Sequence, residues 1–329
     1  MKKRLLLIAP VFFGYYKDII QEASKMNYEV DYICDAPSNS NYFKAIERIN
    51  RKIVKIFSTR YFNRIVLPKI KNRKYDNVFV IAGMTFSFTP EMIKKIRQMN
   101  KKAIFSLYQW DSERNLPYVT KIHPFFDKIF TFDRQDAKKK IYEFLPLFYS
   151  PIYEEVAKEK ITSYKYDCMY VGTAHPKKYY EINEMARKLK PIYNNQFIYH
   201  YMPSKLKFIY HKLLSSEYKY AKYSDFENKK ISSSDLINII IKSKCILDAP
   251  QAGQMGLTIR TIECLGAKRK LITTNADVVN YDFYVPENIY VYNGKFDFND
   301  VFFTKKYKEI DTNVYKKYSL KNWIKTILI

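Results

Sequence analysis

Between Asp248 and Asn275 the chain reads DAPQAGQMGLTIRTIECLGAKRKLITTN. The apolar triplet Cys245-Ile246-Leu247 in front of it suits a buried strand that ends at Asp248, and Pro250, Gly253 and Gly256 then interrupt regular structure. The spacing predicts a helix over 257–266, followed by a second strand from Lys270. Such a helix aims its first backbone N–H groups and the positive end of its dipole at the loop, an arrangement that suits a phosphate. At helical periodicity Gly256, Arg260, Glu263 and Ala267 share one arc, while Ile259, Ile262 and Gly266 form the neighbouring arc expected to face a sheet. Arg260 and Glu263 are therefore expected on the face that looks into the loop.

Outward from this stretch the chain alternates strand and helix patterns. In the first half, strands are expected over 5–10, 29–34, 77–82, 103–108 and 128–132, with helices over 14–25 and 90–99 and a basic helical stretch over 42–71. The periodicity stops between Pro146 and Pro151, as at a linker. A second series follows, with strands over 166–171, 196–201 and 244–248 and helices over 181–189 and 232–242, the latter with serine and aspartate at its start to cap it. The fold class expected is α/β with two Rossmann-like halves: residues 1–148, residues 149–312, and an amphipathic segment 313–329 containing Trp323. No short-period repeat or low-complexity block interrupts this order.

The stretch 256–263, GLTIRTIE, followed by 270–275, KLITTN, resembles the donor-binding half of a GT-B glycosyltransferase, more narrowly the CgeB-type and bacterial capsular or lipopolysaccharide biosynthesis transferases. Weaker similarity runs through 170–175 (YVGTAH), 108–112 (YQWDS) and 35–39 (DAPSN). The resemblance implies two Rossmann-like domains facing a cleft, with the last helix crossing back onto the first. It implies that Glu263 holds the ribose hydroxyls of a nucleotide sugar and that Gly256, Leu257, Thr258 and Arg260 hold its diphosphate. Many retaining members carry a glutamate eight positions before the ribose glutamate; here that position is Met255, so stereochemistry does not carry over. The implied partners are a nucleotide sugar and a lipid-linked or oligosaccharide acceptor of a growing surface glycan, with an anionic membrane surface as a further partner and no specific nucleic acid.

Composition bounds this reading. The 329 residues allow two domains with a sizeable core in each. Cys34, Cys168, Cys245 and Cys264 form no C-x-x-C pair and read as reduced cysteines. The start, MKKRLLLIAPVFFGYY, has too short an apolar run before Gly14 for a signal peptide, and reads as a first buried strand. No window approaches the roughly twenty apolar residues of a membrane span, so a cytoplasmic protein, peripheral at the inner face of the membrane, is expected. The formal charge of +24 admits a nucleic-acid surface, an anionic membrane or a basic substrate site; the abundance of Lys, Ile, Asn and Tyr beside only 7 Gly equally fits an A/T-rich coding bias. The basic, aromatic-bearing stretch 42–74 favours the membrane among the functional readings.

Individual residues carry competing readings. No two aspartates stand two residues apart and the four histidines never take metal-ligand spacing on one helix, so no metal or other cofactor is expected; Arg260 and lysines such as Lys177 would neutralise a diphosphate instead. Glu263 could simply pair with Arg260 on the surface, worth about 0.3 kcal/mol. Gly172, Thr173 and His175 follow a strand, where an open α/β sheet places ligands, or form an ordinary turn. Asp111, after the strand 103–108, is the first choice for a base that takes the proton of an attacking hydroxyl, and Asp35 the second; a capping role suits Asp111 equally. Trp110 and Gly14 complete the acceptor-side set, and without G-x-G-x-x-G a dinucleotide oxidoreductase is disfavoured. Tyr199 and Tyr201 could stack on a base or fill the core. The rivals are a polyol-phosphate or sugar-phosphate transferase of the same fold and a non-catalytic basic binding protein.

Overall fold

The computed structural model describes residues 2–11, 14–38, 51–161, 163–251 and 255–329, without the side chains of 51–53. The expected basic stretch over 42–50 and Gly253 of the opening loop lie outside the described residues. The chain divides into two compact units, residues 1–146 with 320–329, and residues 147–319.

The first unit carries a six-stranded parallel sheet in the order β2-β1-β3-β4-β5-β6. Its strands are β1 (Lys3–Ala9), β2 (Tyr28–Cys34), β3 (Asn77–Ala82), β4 (Ile104–Gln109), β5 (Lys128–Thr131) and β6 (Glu143–Phe144). All six residues of β3 are buried, as expected for a parallel strand with helices on both faces. One face packs Leu6, Ile8, Val80 and Leu107 under Ile93 and Ile96 of the helix Pro90–Met99. The helical stretch beyond Tyr61 passes through a π turn at Phe62–Val66 just before Pro68, whose missing N–H disrupts the regular ladder there.

The other face is covered by the C-terminal helix Leu320–Leu328. Trp323 is fully buried, its ring centroid 4.7 Å from Tyr108 and 5.6 Å from Phe79. The helix end is hydrogen-bonded to the strands, Asn77 Nδ2 donating to the Leu328 carbonyl (3.3 Å) and Ser106 to the Ile327 carbonyl (3.2 Å). The segment expected as one amphipathic element over 313–329 is two: Thr312–Lys317 belongs to the second unit and only Leu320–Leu328 to the first. The break is local. Tyr318 donates to Asp282 (2.5 Å), and Ser319 pairs with Tyr149 in a parallel bridge.

The second unit has a five-stranded parallel sheet in the order β11-β10-β9-β7-β8: β7 (Tyr166–Thr173), β8 (Gln196–Tyr201), β9 (Ser243–Asp248), β10 (Lys270–Thr273) and β11 (Ile289–Val291). Cys168, Leu247 and Ile272 pack against Ile182, Met185 and Leu189 of the helix Pro176–Leu189, which starts earlier than the 181–189 expected because Pro176 fits its first turn. The sequence reading placed nothing over the helices Pro151–Lys158 and Lys205–Leu214.

Candidate functional site

In the second sheet β7 and β9 are neighbours, and the chain leaves them in opposite directions, β7 toward β8 and β9 toward β10. That is a topological switch point, where the helices following the two strands diverge and leave a crevice beyond the strand carboxyl ends. The opening stretch of sequence begins here, at the end of β9.

Asp248, the last residue of β9, is buried and fastens the next helix to the sheet. Its Oδ2 accepts from Thr258 Oγ1 (2.5 Å) and Thr261 Oγ1 (3.1 Å), while Thr258, at the N-cap of the helix Ile259–Gly266, accepts from the Thr261 amide. A negative charge thus already sits at this helix N-terminus, so an anionic ligand needs cations beside it. Two are present. Arg260 lies 2.7 Å from Glu263, and Lys178 of the helix Pro176–Leu189 faces Asp248, Arg260 and Glu181. Burial holds the Lys178 ammonium below its ordinary pKa, Asp248 opposing the shift and Arg260 adding to it.

Glu263 and Arg260 share one face of the helix Ile259–Gly266, as their spacing predicts, and lie 2.7 Å apart. The Glu263 side chain is 3% exposed and that of Arg260 16%, so the pair is an enclosed ion pair and not the surface contact weighed above. Residues 261–267 are buried all round the helix, because its outer side is covered too: Tyr149 lies against Gly266, and Tyr153 of the helix Pro151–Lys158 against Glu263 and Arg260. The Tyr153 hydroxyl is held protonated by burial and then by the Glu263 charge. A Cβ on Gly266 would stand 2.5 Å from Tyr149 Cγ.

The remaining residues of this half gather on the same loops. Gly256 and Leu257 are buried, and Asn275 Nδ2 donates to the Met255 (3.2 Å) and Gly256 (3.4 Å) carbonyls. His175 is the N-cap residue of the helix Pro176–Leu189, its Nε2 3.5 Å from Gln251 Nε2, and Thr173 is exposed at the end of β7. Glu181 accepts from Thr274 (3.0 Å), tying this helix to the end of β10. Gly172 has a packing reason: a Cβ there would stand 2.3 Å from the Tyr170 hydroxyl. Tyr170, buried beside Asp248 and Arg260, was missed by sequence reasoning, and so was Lys178. Lys177 instead points outward and pairs with Glu181 (3.6 Å). The signal for Lys178 was its place on the stripe of Ile182, Met185 and Leu189, an apolar helix face on which a lysine has a reason to be.

The first unit gathers carboxylates at its strand ends. Asp111, half-buried beyond β4, accepts from the Ser112 amide (2.9 Å) and Asn115 Nδ2 (2.8 Å) in a turn, not at a helix cap. Burial raises its carboxyl pKa; the Asn115 and Ser112 hydrogen bonds oppose the shift and the Asp133 charge adds to it. Asp136 accepts from the Glu113 amide, and Glu113 from Lys139 and Tyr142, a network beside Gln109 and His123 that the sequence reading did not anticipate. Trp110 stacks with Tyr15 at 5.9 Å. Gly14 adopts φ 79° at the turn into the helix Tyr15–Lys25, a left-handed conformation that explains the glycine without a ligand. Asp35 is fully buried and accepts from Thr85 (2.8 Å), and its backbone carbonyl accepts from Ser87. It clamps two loops. Among the described residues no group of three or more His, Cys, Asp or Glu is placed to hold a metal ion, and no helix is long and apolar enough to cross a membrane.

No protein-family model and no curated protein matches this sequence. Solved structures do. HepE from Anabaena in complex with UDP-glucose is similar with a TM-score of 0.57 and 10% identity, over 99% of this chain and 98% of that one. UDP-GlcNAc 2-epimerase from Neisseria meningitidis bound to UDP-GlcNAc gives 0.55 and 12%, over 99% and 98%. The catalytic domain of starch synthase IV from Arabidopsis thaliana, bound to ADP and acarbose, gives 0.55 and 9%, over 99% and 96%. With the two parallel sheets, these similarities establish the GT-B fold.

Proposed function

We propose that this protein is a glycosyltransferase that moves a sugar from a nucleotide-sugar donor onto a growing bacterial surface glycan. The observation that carries this reading is the placing of Arg260 and Lys178 beside the Thr258-capped helix at the β7/β9 switch point, where a diphosphate would meet two cations and the first backbone amides. In this reading Glu263 takes the ribose hydroxyls with one carboxylate oxygen while its partner Arg260 turns to the diphosphate. Thr173 and His175 border the same loops. An acceptor hydroxyl attacks the anomeric carbon, the bond to the nucleotide diphosphate breaks, and the leaving oxygen keeps the electron pair beside Lys178 and Arg260. For an inverting reaction Asp111 receives the hydroxyl proton, its raised pKa making it a stronger base than an ordinary aspartate. No metal is required in this scheme, because lysine and arginine supply the positive charge.

UDP and ADP, the nucleotides carried by the similar structures, are the first to test by thermal shift. Saturation at a hundred times the dissociation constant stabilises by about 2.7 kcal/mol. No stabilisation by any nucleoside diphosphate or nucleotide sugar would overturn the reading and favour a non-catalytic basic protein. Since an epimerase shares the fold, donor turnover is then followed with and without acceptor glycans. Conversion of the bound sugar into its epimer, with no acceptor needed, would replace transfer by isomerisation.

A further inference from the structure

The helix Lys205–Leu214 wears its apolar side outward. Leu206 and Leu213 are each 79% exposed, Leu214 68%, Tyr210 61% and Ile209 43%, whereas Phe208 is buried against Tyr218 and Phe226. At about 100° per residue the five exposed side chains fill one stripe ~140° wide, and Phe208 stands on the opposite side. A surface helix of a globular domain normally turns such a stripe to the core. Here one aromatic anchor holds the helix down and the stripe faces away. The same wheel sets Lys205 and Lys212 on one shoulder of the stripe and Lys207 on the other, and the following turn adds Lys219, Tyr220 (84% exposed) and Lys222. Over residues 203–223 these five lysines are opposed by Glu217 alone.

We propose that this helix docks the protein on a bilayer surface carrying anionic headgroups. Leu206, Leu213 and Tyr210 in mid-stripe enter the acyl boundary with Ile209 and Leu214 at the stripe edges, Tyr220 lies at headgroup level, and Lys205, Lys207, Lys219 and Lys222 extend beside the stripe to reach phosphates, Lys212 being held by the Ala221 carbonyl. The charge pattern argues against a second copy of the chain as occupant, because a two-fold pairing through this stripe would bring the same lysine shoulders together. It places the membrane contact in the second unit, away from the basic stretch 42–74 that sequence alone favours.

The test is co-sedimentation of the full chain with vesicles of phosphatidylcholine alone and of phosphatidylcholine with about one third phosphatidylglycerol. The wild type is expected to pellet with the anionic vesicles and to stay in solution with the neutral ones. The Leu206→Glu/Leu213→Glu variant, altered only at exposed positions, is expected to lose partitioning on the order of tenfold or more. Emission from a Tyr210→Trp variant should shift to the blue on adding anionic vesicles. Failure of the wild type to pellet, or equal pelleting of the double variant, overturns the proposal. So does a dimer in vesicle-free buffer that the double variant dissolves, which would make the occupant a second copy. Nucleotide stabilisation measured on the same double variant is expected to be unchanged, so the outcome is independent of the donor-site reading.

Discussion

The strand ends of the two units are built from the same α/β elements and hold their charged side chains differently. Beyond β7 and β9, a buried aspartate holds a helix N-terminus in place while Lys178 and Arg260 stand beside it. Beyond β4 and β5, Asp111, Asp133 and Asp136 lie together with one cation, Lys139, bonded to Glu113. A neutral hydroxyl that must lose a proton suits this second cluster. The two strand ends therefore differ in how their carboxylates are held: beside the buried Lys178 and Arg260 in the second unit, and by amide groups and by one another in the first.

The sharpest way to break this contrast is Asp111→Asn. If Asp111 accepts the acceptor proton, turnover should fall by roughly 10²–10⁴-fold, with nucleotide affinity unchanged. The rate in the wild type should decline as pH drops through the carboxyl pKa, a limb displaced upward from that of an ordinary aspartate and absent in the variant. A pH profile of turnover in both proteins decides it, and an unchanged rate in Asp111→Asn removes the base role. Next comes Glu263→Ala, which takes the carboxylate away from the enclosed Arg260. A loss of about 3 kcal/mol in urea unfolding is expected, at the low end for a broken buried pair because Arg260 keeps some exposure. Glu263→Gln, which retains a hydrogen-bonding group, should lose less and is the fairer probe of ribose binding.

Much of the scaffold was legible in the sequence. The strands over 77–82 and 196–201 and the helix over 90–99 coincide with the structure, since continuous apolar runs and the proline at a helix start are local signals. What was not legible depended on neighbours distant in the chain. Periodicity placed Arg260 and Glu263 on one face but could not show that Tyr153 encloses that face, or that Tyr149 covers the neighbouring arc at Gly266. Lys178 was overlooked because Lys177 beside it is equally basic, and only the sheet decides which of the two turns inward. The outward stripe of Lys205–Leu214 has the spacing of a core helix, and sequence carries no sign of which side meets the domain.

Gly266→Ala tests whether the enclosure of the helix Ile259–Gly266 is as tight as the geometry implies. The added methyl meets Cγ and Cβ of Tyr149, atoms near the backbone that cannot swing aside. About 2 kcal/mol of destabilisation is expected in urea unfolding, as for overpacking a filled interior. Wild-type stability would show that Tyr149 yields.

Lys178→Met is the smallest effect and the one most specific to the comparison. Methionine keeps the length of the stem and removes the charge, so binding of a nucleoside diphosphate should weaken roughly tenfold, while that of the uncharged nucleoside should not change. Stability should move the other way. The folded pKa of Lys178 lies below its unfolded value, so between the two the unfolded chain binds more protons, and stability rises with pH across that window. Below it the charged form is disfavoured by its surroundings, and at neutral pH the variant should unfold at the same or a higher temperature than the wild type. Weaker binding together with undiminished stability is the signature of a cation kept for a ligand. If both fall together, Lys178 is instead a structural counter-charge to Asp248, and the proposal of a diphosphate site at this strand end loses one of its two cations.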